Sequence, residues 1–231
     1  MTVTDTRLTR AAGASAAIAG AIFIAVQIKH PAMNVSSVTS ANWQLRSIAK
    51  FVMCALAITG LTGMYLHQRR RVGKLGLVGY AVFVAGYLMM SSVEAIAAFV
   101  LPGLAPSSPG YVNDVILAAV GQKPAGDIGS LQTLFTLAGL CYMVGGMLFG
   151  IALFRARVLA RWAAALLALA TVSTAALAVL PMSFNRPFAV PAGVALIGLG
   201  VSLWRSQQAR AISVAPASLP TPAQASAGVN R

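Results

Sequence analysis

The sequence predicts an all-α integral membrane protein, a bundle of six transmembrane helices arranged as helical hairpins, and three observations carry that expectation. First, 58% of the 231 residues are hydrophobic and 9% are charged, whereas soluble domains carry roughly a quarter charged residues. A soluble fold with so little polar surface could not cover its own core. Second, the apolar residues come in blocks near the ~20 needed to cross the hydrocarbon core of a bilayer. Third, the cations gather in the short hydrophilic gaps between blocks, as they do where they orient a membrane chain. Spanning segments must be helices or a closed barrel, because lipid offers no partner to an unpaired backbone group, and these continuous runs lack the alternation of barrel strands.

The spans fall at 11–28, 43–66, 75–101, 130–154, 158–180 and 187–204. The first follows Arg7 and Arg10; it is longer than the apolar core of a signal peptide and lacks a convincing cleavage site, so it reads as an uncleaved signal anchor. The second opens at Trp43 and ends before Arg69, Arg70, Arg71 and Lys74, a turn short enough to force spans two and three together as antiparallel neighbours. Pro and Gly mark 102–129 as irregular. Within that loop Val112, Val115, Ile116 and Ala119 have helical spacing opposite Asn113 and Asp114, which predicts a short helix lying on the outer surface. Arg155, Arg157 and Arg161 join spans four and five. Beyond a membrane domain of 1–208, residues 209–231 are rich in Ala, Ser and Pro and are expected to form a disordered cytoplasmic tail.

With the N-terminus inside, 12 of the 17 Lys and Arg residues lie on the inner side, which puts both termini in the cytoplasm. The formal net charge of +13 would suggest nucleic acid for a soluble chain. Its position between apolar blocks assigns it instead to the anionic headgroups of the bilayer. Trp43, Trp162 and Trp204 all fall at span ends, where aromatic rings favour the headgroup boundary. Sliding the sequence by 87 positions aligns Gly63, Leu66 and Arg70 with Gly150, Leu153 and Arg157, and Cys54 with Cys141. This pattern admits a weak parallel internal repeat, although topology alone selects many of the same residues.

Glu94 is the one acid inside a span, and a charge at mid-helix is disfavoured by about 2.5 to 3.5 kcal/mol. It therefore needs a partner. Counted inward from the outer ends, Glu94 and Lys50 both lie about 10 Å deep at ~1.5 Å per residue, with Arg46 one turn above Lys50. Arg46, Lys50 and Cys54 share one helical face; Tyr80, Tyr87, Ser91 and Glu94 share another. The expected intramembrane cluster is Glu94, Lys50, Arg46, Tyr87 and Ser91, with Lys50 as the partner of Glu94 and Arg46 as its substitute. Either it forms a polar cleft, or it is an ion pair that fixes helix register. His30, ahead of Pro31, is a candidate for an outer site. His30 and His67 are expected on opposite membrane faces, so they do not share a haem or metal, and no cofactor is assigned. Cys54 and Cys141 lack metal-ligand spacing. There is no HExxH, nucleophile elbow, P-loop or pair of catalytic carboxylates, so no enzyme activity is expected.

Gln27, His30 and Pro31 at the end of span one, Val38-Thr39-Ser40 ahead of Trp43, Glu94 followed by Phe99-Val100-Leu101-Pro102, and Leu153-Phe154-Arg155-Ala156-Arg157 before Arg161-Trp162 together carry a family likeness. On these residues the chain resembles six-span actinobacterial membrane proteins of the DUF4386 type. The resemblance covers most of the chain except the tail, and it departs from the pattern at Val158-Leu159-Ala160, where a proline often stands. It implies six helices and a bacterial cytoplasmic membrane, and it supplies no activity. Helix packing and topology explain most features without a reaction, so a structural or accessory role, with a protein partner or a second copy of the chain, is the leading expectation. The alternative is a small transporter or membrane sensor using an outer-half polar site around Glu94 and Lys50. A hydrated cavity reaching Glu94, as against dry packing, would distinguish the two.

Overall fold

The structure, a computed structural model, describes residues 5–178 and 187–214, and all regular structure among them is helical. Four helices are long and apolar enough to cross a membrane: Asp5–Ala25, Ala41–Leu104, Leu131–Ala156 and Ala189–Ser206. The segment Arg161–Ala176 is apolar but shorter. The end of the fifth expected span, 179–180, and the loop bearing Arg186 lie outside the described residues.

Helix α1 (Asp5–Ala25) begins earlier than the apolar block and stops sooner, because Lys29 turns the chain with a φ of 50°. A single turn, α2 (Val35–Val38), follows; it has no counterpart in the sequence reading. Asn34 caps it by accepting the Ser37 amide at 2.9 Å, and the Ser40 hydroxyl caps the next helix by accepting the Trp43 amide at 3.2 Å. That helix, Ala41–Ala95, has 55 residues and would measure about 80 Å if straight. It breaks at Gln68 (φ −132°, ψ 20°) and at Gly73 (φ 60°, ψ −158°). The second is a conformation open essentially to glycine alone. We name the limbs α3 (41–67) and α4 (74–95).

The contacts between α3 and α4 run in opposite directions. Gln44 reaches Ala98, Lys50 reaches Glu94, and Thr62 Oγ1 lies 2.9 Å from the Tyr80 hydroxyl. Beyond α4 come π-helical Ile96–Val100 and the turn Leu101–Leu104, then α5 (Pro109–Ala119) and α6 (Leu131–Ala156), which ends at Arg157 in the left-handed region. Helix α7 (Arg161–Ser173) passes into a 3-10 turn, Thr174–Ala178. Helix α8 (Ala189–Val214) continues six residues into the stretch expected to be disordered; 215–231 lie outside the described residues.

Each long helix packs on its neighbour in sequence, and α8 returns to α1 to close a ring. Small residues set the spacing. A Cβ at Gly13 would sit 2.7 Å from the Gly200 carbonyl, and one at Gly86 would sit 2.7 Å from the Tyr142 amide nitrogen, so α1 touches α8, and α4 touches α6, backbone to backbone. Arg10 lies over the Trp204 ring and Arg161 over the Phe154 ring, at the same end of the ring as Gln68 and Gly73. The turns related by the 87-residue shift do not match. Positive φ falls at Gly73 in one and at Arg157, the equivalent of Arg70, in the other. Gly63 faces Ala12 of the preceding helix, whereas Gly150 faces Ala164 and Ala168 of the following one.

Candidate functional site

The end of the bundle opposite Gln68 holds a second apolar cluster, separate from the main core, built from Val38, Trp43, Leu101, Val112, Val115 and Ile116 among others. Helix α5 is part of it. Its predicted apolar face is present: Val112, Val115 and Ile116 are buried, with Ala118 rather than Ala119 completing the face, and the helix packs on Val35–Val38, the turn Leu101–Leu104 and α6. The helix thus covers this end of the bundle. Asp114 steadies the chain that follows, its carboxylate accepting the amides of Ala125 at 2.9 Å and Gly126 at 3.0 Å.

Beneath this cover lies a cavity of about 300 Å³ bounded by α3, α4, α5 and α6. Its polar lining is His30, Ser47, Lys50 and Glu94; the remainder is apolar and includes Met33, Trp43, Met90 and Phe135. Lys50 Nζ stands 3.3 Å from Glu94 Oε1, and the two side chains are 22% and 12% exposed. The pair is therefore largely shielded and its open side borders the cavity. Charges in such a place are tolerable because each removes the other's need for water.

Pro102 explains why α4 changes register beside Glu94. Proline has no amide hydrogen and its ring crowds the carbonyl four residues back, here Ala98. The helix responds by widening: the Leu101 amide bonds to Ile96 instead of Ala97. Two carbonyls, Ala97 and Ala98, thereby lose their intrahelical donors, and α3 replaces both. Trp43 Nε1 donates to Ala97 O at 3.0 Å and Gln44 Nε2 donates to Ala98 O at 3.3 Å. π-Helical turns of this kind frequently occur at functional sites. The same bond overturns the expectation for Trp43, which is not at a lipid boundary but 5% exposed inside the cluster, where its ring lines the cavity and its N–H has a buried acceptor.

The other expected residues separate. Arg46 does not approach Glu94: it donates to Val26 O at 2.8 Å, Lys29 O at 3.2 Å and Asn42 Oδ1 at 2.7 Å, tying α3 to the carbonyls left open at the end of α1. Tyr87 is buried against Phe83 and Tyr142, below the cavity. Ser91 is half-buried on α4 and does not line the cavity. His30 does line it, with Nδ1 2.9 Å from Pro31 O and its ring edge-on to Trp43. His67 stands at the far end of α3, 3.4 Å from Ser206 Oγ, about 36 Å along the helix from Trp43 at 1.5 Å per residue. Ser47, Trp43, Met90 and the cover supplied by α5 were not anticipated as site residues; Ser47, one turn before Lys50 on the same face, was the signal available.

No protein-family model, curated protein or solved structure matches this chain.

Proposed function

We propose that this chain is a multi-pass protein of a bacterial cytoplasmic membrane, crossing six times as helical hairpins with both termini in the cytoplasm. In this reading it works as a small transporter or membrane sensor through the cavity at Lys50 and Glu94. Four helices of spanning length and composition, the two-limbed geometry of α3 and α4, and the gathering of basic residues near Gln68 support the topology. Anionic headgroups would meet those basic turns. The resemblance to DUF4386-type proteins agrees with the six crossings and the location.

One observation favours binding over a purely structural or accessory role: the intramembrane pair borders a cavity of about 300 Å³. A pair that only fixed helix register would be packed dry, since voids forfeit dispersion energy and cost stability. A mostly apolar pocket with a few convergent polar groups, at the lower end of the size range of ligand sites, is what a small-molecule site looks like. The test compares the parent with Ala138→Phe, which projects a ring into the cavity. Small molecules extracted from both purified chains are identified by mass spectrometry. A molecule present in near-stoichiometric amount with the parent and lost in Ala138→Phe is expected. If neither carries one and the filled variant is simply more stable, the cavity is a packing defect and the structural reading returns.

A further inference from the structure

The cavity exists because α4 and α6 part company. Deeper in the bundle they touch through glycines: a Cβ on Gly86 would meet Tyr142 N at 2.7 Å, and one on Gly145 would collide with the backbone of Phe83. One turn nearer the covered end, a Cβ on Gly139 would meet nothing within 4 Å, although Gly139 lines the cavity. Among the lining residues Gly139 and Ala119 are the exposed ones. The opening therefore lies beside the first half of α6, between the end of α5 and Gly139. Gly139 is about 12 Å into that helix, at 1.5 Å per residue from Leu131.

In the membrane-spanning reading this level of the bundle faces hydrocarbon: Leu137, Leu140 and Val144 on α6, Leu88 on α4 and Phe99 in the π-helical turn are exposed large apolar side chains. Toward the end of the bundle, access is covered by the buried faces of α2 and α5, through Val38, Val112, Val115 and Ile116. A molecule using this opening comes from the bilayer, not from water, and is itself apolar over most of its surface. The polar groups it meets are already balanced. Lys50 and Glu94 cancel each other's charge, so a ligand bearing a net charge would bring an uncompensated ion into a low-dielectric site or pull the pair apart. A hydroxyl both donates and accepts; it can give its proton to a Glu94 oxygen and accept from Lys50 or Ser47 with the pair intact.

Resting on the membrane-spanning, ligand-binding reading above, we infer that the cavity takes an uncharged amphiphile, an apolar chain ending in a hydroxyl-type head, laterally from the outer leaflet through the gap at Gly139.

The test uses the full chain in phosphatidylcholine nanodiscs and three photoactivatable diazirine probes sharing one ten-carbon chain: decanol, decanoate and decyltrimethylammonium. Labelled peptides are mapped by mass spectrometry. The decanol probe is expected to label the peptides carrying Met90 and Phe135 saturably, to be displaced by plain decanol, and to exceed the two charged probes by about tenfold or more, the ratio set by stranding a charge at the pair. Gly139→Leu should lower this labelling by a similar factor at an unchanged melting temperature, while Gly139→Ala should keep it; Gly139→Val replaces leucine if leucine lowers the melting temperature. A charged probe that labels the cavity as well as decanol overturns the uncharged class while leaving ligand binding standing. Undiminished labelling with the opening filled overturns the lateral route. If none of the three probes labels the cavity saturably, the inference and the binding reading fall together.

Discussion

Removing one member of the Lys50–Glu94 pair should cost more than removing both, and the size of the cost can be worked from chemistry. The groups are 3.3 Å apart and mostly shielded, so either one left alone is an ion in a poor solvent, with a typical penalty of about 3 to 5 kcal/mol. Lys50→Met, which strands Glu94, and Glu94→Gln, which strands Lys50, should thus each lose about 3 to 5 kcal/mol, less whatever relief the cavity gives. The double variant should recover most of the loss, giving a coupling well above the ~0.5 kcal/mol within which independent sites add.

Equilibrium unfolding in lipid bicelles at pH 7 measures all four corners of the cycle. Single losses that simply add would refute the argument that the two charges depend on one another.

A reporter active only in the cytoplasm should give signal when fused in the turn 68–74, at 155–157 and at the C-terminus; signal from a fusion within 102–129 would overturn the six crossings. Gln44→Ala should cost about 1 to 3 kcal/mol by leaving the Ala98 carbonyl bare, and less in a Pro102→Ala background, where an amide donor returns; an equal cost in both backgrounds, read by thermal unfolding, would sink the account of the π-helical turn. Gln68 is 3% exposed with neither side-chain polar atom hydrogen-bonded, so Gln68→Met should raise stability by about 1 to 3 kcal/mol, the desolvation penalty of such groups, and a lowered melting temperature would show that Gln68 has a bonding partner in the membrane.

What the sequence determined by itself are the features set by composition and by distance along one helix. Apolar blocks and basic gaps locate the long helices because lipid leaves the backbone few options. The juxtaposition of Lys50 with Glu94 follows from counting residues inward along two limbs joined by a short turn, and α5 follows from its apolar spacing. What only the tertiary structure decided are the things that depend on which faces meet. Arg46 lies one turn from Lys50 yet serves α1, because the carbonyls at Val26 and Lys29 lie nearer than any carboxylate. Tyr87 shares the helical stripe of Glu94 but faces α6, where aromatic rings enclose it. Trp43 stands at a helix start, where a lipid boundary was expected, and turns inward because Pro102, more than fifty residues away, leaves a carbonyl in need of a donor. The cavity has no signature in any one segment. It arises where glycines hold α4 and α6 together at one level and nothing holds them at the next, and a separation between helices is written in neither helix alone.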